Sequence, residues 1–129
     1  MKINERKLND VTVLDLDGRL VLGADRQFGH FVDAHIAAGG RKLIVNLAKV
    51  GYVDSSGLGE LIAGYMAMQK VDGQIKLLHL KDRLSNLLIT TKLITVFETF
   101  DSESAAVSSF TPDQKKDPGL TPIALSAQP

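Results

Sequence analysis

GYVDSSGLGELI, residues 51–62, sits between a run of branched apolar residues and a helix-like stripe. KLIVNLAKV (42–50) before it is continuously apolar and reads as a strand buried on both faces. After it, Leu58, Leu61, Ile62, Tyr65 and Met68 or Gln69 recur at helical spacing. A strand ending at Val53 and a helix starting near Gly57 put Ser55 and Ser56 at a helix N-terminus. There the first amides lack intrahelical acceptors and the helix dipole is positive.

One serine at that place is accounted for as a helix cap, whose loss to alanine costs ~1 kcal/mol. Asp54, Ser55 and Ser56 are three consecutive candidates for a role that needs one side chain. Gly57 and Gly59 each disfavour the first helical turn by up to ~1 kcal/mol relative to alanine. They make sense if another molecule approaches the backbone closely. A second use of a hydroxyl here is reversible phosphorylation. A phosphoserine brings about −1.5 to −2 charges and accepts from free amides, so the fold survives while the surface turns anionic. A partner docking on that patch then meets charge and desolvation cost at its centre.

Outward from this motif the periods alternate between two and 3.6. KINERKL (2–8) and VTVLDLDG (11–18), joined by Asn9-Asp10, read as a hairpin, the second strand apolar on both faces. Phe28, Phe31, Val32, His35 and Ile36 line a helix over 25–38, capped by Asp25 and ended by Gly39-Gly40. QIKLLHL (74–80) is a strand, DRLSNLLITT (82–91) a helix, ITVFETF (94–100) a strand and DSESAAVSSF (101–110) a last helix. The result is an α/β fold: a mixed sheet of four to five strands, helices packed mainly on one face and crossovers right-handed.

All four prolines lie in the last 18 residues. The expected domain is therefore 1–110, with 111–129 a disordered tail. Fifteen basic and fifteen acidic residues leave no global field to steer the chain to nucleic acid or an anionic membrane. No cysteine offers a disulfide or thiolate site, and three scattered histidines make no metal cluster. The charged MKINERKLND lacks a signal-peptide core, and no apolar run approaches the ~20 residues of a membrane span, so the expected compartment is the cytoplasm. No cofactor is expected: GLG at 57–59 lacks the remainder of a phosphate-binding loop.

The element order together with VTVLDLDGRL, KLIVNLAKVGYVDSSGLGELI and the pattern from Gln74 to Phe110 resembles the STAS domain, and within it the bacterial anti-sigma-factor antagonists. The chain departs from the common pattern at Val21, where an Asp often follows G-R-L, and at Lys92, where a Gly is common. The resemblance implies a binding switch with no catalytic residues of its own. The second serine of D-S-S-G, here Ser56, would be the phosphoacceptor, with Ser55 the alternative. Asp54, Ser55, Gly57, Leu58 and Gly59 would meet a partner, and Gly18, Arg19 and Leu20, in the loop after the second strand, would approach the same end. The implied partners are an anti-sigma factor serine kinase, which the unphosphorylated form occupies so that the sigma factor is freed, and a serine phosphatase that resets the switch. A monomer or weak dimer is expected.

Two rivals use the same residues. A scaffold subunit of a stress-signalling complex would share the fold and self-associate into large particles. A serine hydrolase would pair Ser55 or Ser56 with His30, His35 or His79, but the G-x-S-x-G elbow is absent.

Overall fold

A computed structural model describes residues 1–21 and 27–110. The proposed Asp25 cap and the tail 111–129 lie outside the described residues. The elements are β1 (Lys2–Leu8), β2 (Val11–Leu20), α1 (Gln27–Ala37), β3 (Lys42–Val53), α2 (Ser55–Lys70), β4 (Gln74–Leu78), α3 (Asp82–Thr90), β5 (Glu98–Phe100) and α4 (Glu103–Ser108). The five strands stand in sequence order, β1-β2-β3-β4-β5. β1 pairs antiparallel to β2, and every later neighbour is parallel.

That order explains where the helices go. A sheet that always grows in one direction through right-handed crossovers puts every connecting helix on the same face. α1, α2 and α3 accordingly cover one face, where Leu14, Leu16, Leu43, Val45 and Leu77 meet Phe28, Val32, Leu61, Met68 and Leu88. α4 follows the last strand, has no crossover to make, and closes the other face with Ala106 and Phe110 on Val11, Val13, Ile44 and Leu78. The central strands are buried on both faces, as their unbroken apolar runs require.

Several boundaries move from the sequence reading. β2 continues through Gly18, Arg19 and Leu20, which are strand rather than loop, pairing with Val50, Tyr52 and Val53 across register shifts. Gly18, at φ +130, permits that irregular backbone. α2 begins at Ser55, two residues before the expected start. β4 ends at Leu78, and His79, at φ +60, turns the chain out of the strand. The strand expected over 94–100 shrinks to Glu98–Phe100. Lys92, at φ +65, turns the chain into a short 3-10 turn at Leu93–Thr95, which lets Leu93 and Ile94 pack on the core. Of the two candidates for the helix stripe, Met68 is buried, while Gln69 is exposed and donates to the Tyr65 hydroxyl at 2.9 Å.

Candidate functional site

β3 outruns β4 by seven residues, since its pairing with that strand ends at Asn46 and Leu78 while β3 itself runs to Val53. Beyond Asn46 its strand partner among the described residues is β2, and Leu20 lies beside Val53. The chain then enters α2 at once. Asp54 stays extended, at φ −103 and ψ −176, and its Oδ1 accepts from the Gly57 amide at 2.8 Å. The Asp54 carbonyl accepts from Leu58 N at 2.9 Å. Asp54 is therefore the cap, and neither serine hydroxyl takes part in it. The two serines are the first two helical residues, Ser55 exposed and Ser56 half-buried, with their amides in the turn that has no intrahelical acceptors.

The remaining expected residues divide by depth. Gly57 is buried because the first turn of α2 rests on the Leu20 backbone: a Cβ there would collide with the Leu20 carbonyl oxygen and stand 2.6 Å from its carbon. Leu58 and Leu20 are core residues, 5 % and 2 % exposed. These three lie beneath the surface where a partner contact was expected and shape the loop from inside. Gly59 is exposed with nothing near its missing Cβ, so its open side does face outward. Arg19 is exposed, and its guanidinium lies 5.0 Å from the centre of the Tyr52 ring. Tyr52 was not singled out from the sequence. The signal was its parity: in a strand it faces opposite to Val53 and so onto the side shared with Arg19.

The histidines lie elsewhere. His35 is buried near the C-terminal end of α1, by Gly40 and the start of β3, the opposite end of that strand from the serines. His79 follows β4, whose last residue pairs with Asn46 in the middle of β3. His30 is exposed on α1. Among the described residues no group of His, Asp and Glu is placed to hold a metal ion, and no helix is long and apolar enough to cross a membrane.

The model of the STAS domain matches residues 2–106. The chain belongs to the STAS domain family. BtrV of Bordetella bronchiseptica, assigned as an anti-sigma factor antagonist, is 22% identical over 110 residues, 85% of this chain and 95% of that protein. Among solved structures, the Thermotoga maritima protein tm1081, assigned to the same class, superposes with a TM-score of 0.77 at 21% identity, over 82% of this chain and 92% of its own. The Bacillus cell-fate determinant SpoIIAA, solved in its phosphorylated form, gives a TM-score of 0.67 at 20% identity, over 83% of this chain and 97% of its own. SpoIIAA is an anti-sigma factor antagonist also solved unphosphorylated, with a TM-score of 0.64. At these identities the structural likenesses establish the shared fold: five strands in a mixed sheet with four helices.

Proposed function

We propose that this STAS domain is an anti-sigma-factor antagonist, a non-enzymatic switch whose unphosphorylated form binds an anti-sigma factor serine kinase and so frees the sigma factor. Phosphorylation of Ser56 by that kinase turns it off, and a serine phosphatase restores it. The observation that carries this reading is the Asp54 cap on Gly57 N at 2.8 Å. With the cap supplied by a carboxylate, the hydroxyls of Ser55 and Ser56 are spare, in a turn whose free amides and positive dipole stabilise a phosphate. SpoIIAA, which shares the fold, exists in phosphorylated and unphosphorylated forms. The folded unit, in this account, is 1–110.

The docking surface would consist of the exposed parts of the loop, Ser55 and Gly59, with Ser56 between them; the Arg19–Tyr52 pair lies at the same end of the sheet but on the face opposite Val53. A phosphate at its centre adds charge beside the Asp54 carboxylate, which a neutral or acidic kinase surface has to desolvate. Kinase binding by Ser56→Ala and Ser56→Asp tests the switch. The alanine variant is expected to bind like the unmodified chain and the aspartate variant at least about tenfold more weakly, a difference of ~1.4 kcal/mol. Equal binding by the two would reduce Ser56 to an ordinary surface residue.

A further inference from the structure

β4 leaves the sheet at Leu78 while β3 runs on to Val53, so a gap opens along the edge of β3 where a neighbouring strand would lie. A cleft of about 70 Å³ occupies that gap. Tyr52 and Val53, which face opposite sides of the strand, both line it, as a cleft at a strand edge requires. Its inner wall is apolar, formed by the buried Leu47, Val50 and Val53 of β3 and Leu84 of α3. Its rim is cationic. Lys81 and Arg83 stand exposed on the α3 side. Among the described residues no carboxylate lines the cleft or forms an ion pair with either of them. Asp82, between them in sequence, is not part of the lining.

Size, chemistry and position narrow the occupant. The volume is far below the ~300 Å³ at which ordinary small-molecule sites begin, and it suits one side chain of another protein. The apolar wall accepts an aliphatic stem and the rim calls for a negative head, which together describe a glutamate. The chain as a whole carries fifteen basic and fifteen acidic residues, so these two unpaired cations are a local excess rather than part of a general field. Asp54 and Ser55 follow Val53 directly, which puts the cleft next to the serine loop.

We propose that this cleft receives a glutamate side chain of the protein that docks on the serine loop, its carboxylate held by Lys81 and Arg83. The inference rests on the proposed function for the identity of that protein, an anti-sigma factor serine kinase. Attraction at the cleft and repulsion at a phosphorylated Ser56 then act on one partner surface. An acidic surface drawn in by Lys81 and Arg83 is the kind that a phosphate on the adjoining loop drives off.

The test is the affinity of the anti-sigma factor serine kinases of the source genome for the full chain and its charge-reversal variants. These are Lys81→Glu, Arg83→Glu, the two combined, and Lys70→Glu, which makes the same charge change at the exposed far end of α2. Lys81 and Arg83 are exposed at the start of α3, where the helix dipole favours acidic residues, so their variants are expected to fold. For a kinase that binds the unmodified chain, each single reversal at the cleft should weaken binding about three- to tenfold and the double variant by more than about tenfold. Lys70→Glu should stay within about twofold. Affinity of the unmodified chain should fall as NaCl rises from about 50 to 500 mM, and that of the double variant much less. Undiminished binding by the double variant, or an equal loss in Lys70→Glu, would overturn the glutamate cleft and leave the phosphorylation switch standing. Binding of the unmodified chain by none of the kinases would overturn both.

Discussion

Gly57 lies directly on the Leu20 backbone: a methyl group added to it would collide with the Leu20 carbonyl oxygen. This contact joins the end of β2 to the first turn of α2, and it fixes how far Ser55 and Ser56 stand from the sheet. The loop is a corner held from beneath by Leu20 and Leu58 and from the side by the Asp54 cap.

Gly57→Ala is expected to destabilise the chain by about 1–3 kcal/mol, because backbone rather than a flexible side chain has to move. Gly59→Ala, two residues on, meets open space and removes a flexible residue from a helix, so it is expected to be neutral or stabilising by up to ~1 kcal/mol. Urea denaturation of the two variants checks the contrast. Equal effects would show that the first turn of α2 does not rest on Leu20.

Lys92 holds φ +65 at the end of α3, a left-handed conformation that strains any residue with a Cβ. A glycine, with no Cβ, would take that conformation without the strain. Lys92→Gly is expected to raise stability by about 0.5–1 kcal/mol. Thermal unfolding measures it, and a fall in Tm would contradict the assigned turn.

Much of this was legible in the sequence, for identifiable reasons. The apolar run at 42–50 and the stripe at 58–68 are long and have clear periods, so β3 and α2 were placed correctly. The hairpin followed from Asn9-Asp10, and Asn9 does take a positive φ of 59. The strand expected at 94–100 failed because ITVFETF is β-rich in composition, while one backbone angle at Lys92 and the pull of the core on Leu93 and Ile94 decide its local structure. At the site, the motif gave its residues but not their depth. A glycine in a sequence looks the same whether it leaves room for a partner, as Gly59 does, or for the chain's own carbonyl, as Gly57 does. Lys76 was read simply as part of a strand. It is 3 % exposed and held by Glu98 at 2.6 Å, Ser109 Oγ at 2.9 Å and the Phe110 ring at 4.5 Å, partners brought together only by tertiary packing.

Arg6 ties α4 to the hairpin, with Nε to Asp15 at 2.5 Å and the terminal nitrogens to Glu103 at 2.7 and 3.2 Å. Asp15 in turn accepts from Asn46 Nδ2 at 2.8 Å. The pairs are partly exposed, so Arg6→Met is expected to cost only about 1 kcal/mol overall. The loss should be concentrated in α4, the short helix that this network anchors. Hydrogen exchange checks this: the Ala106 and Ser109 amides should lose protection before those of Val45 or Leu77.

Burial, with Lys7 and Arg41 adding to it and Glu5 opposing, pushes the His35 pKa below its usual 6.5. The folded chain thus holds fewer protons than the unfolded one as the pH falls. Stability is full above about 6.5 and declines as the pH drops from there towards the folded value. A separate loss follows at lower pH. Lys42 lowers the pKa of Asp10, while Arg6 lowers those of Asp15 and Glu103, so their stabilisation goes as the carboxylates protonate. Urea midpoints between pH 8 and 5.5 should fall for the unmodified chain and stay nearly flat for His35→Phe. An equal fall in both would place the proton uptake elsewhere.

The central claim is that the serine pair at the start of α2 is a substrate for a partner kinase. Incubating the chain with the anti-sigma factor serine kinases of its source genome and ATP, then locating the phosphate by fragment mass spectrometry, tests it most directly. One phosphate, on Ser56, is the predicted result. A phosphate on any residue outside the Ser55–Ser56 pair, or none with any of the kinases, would contradict it.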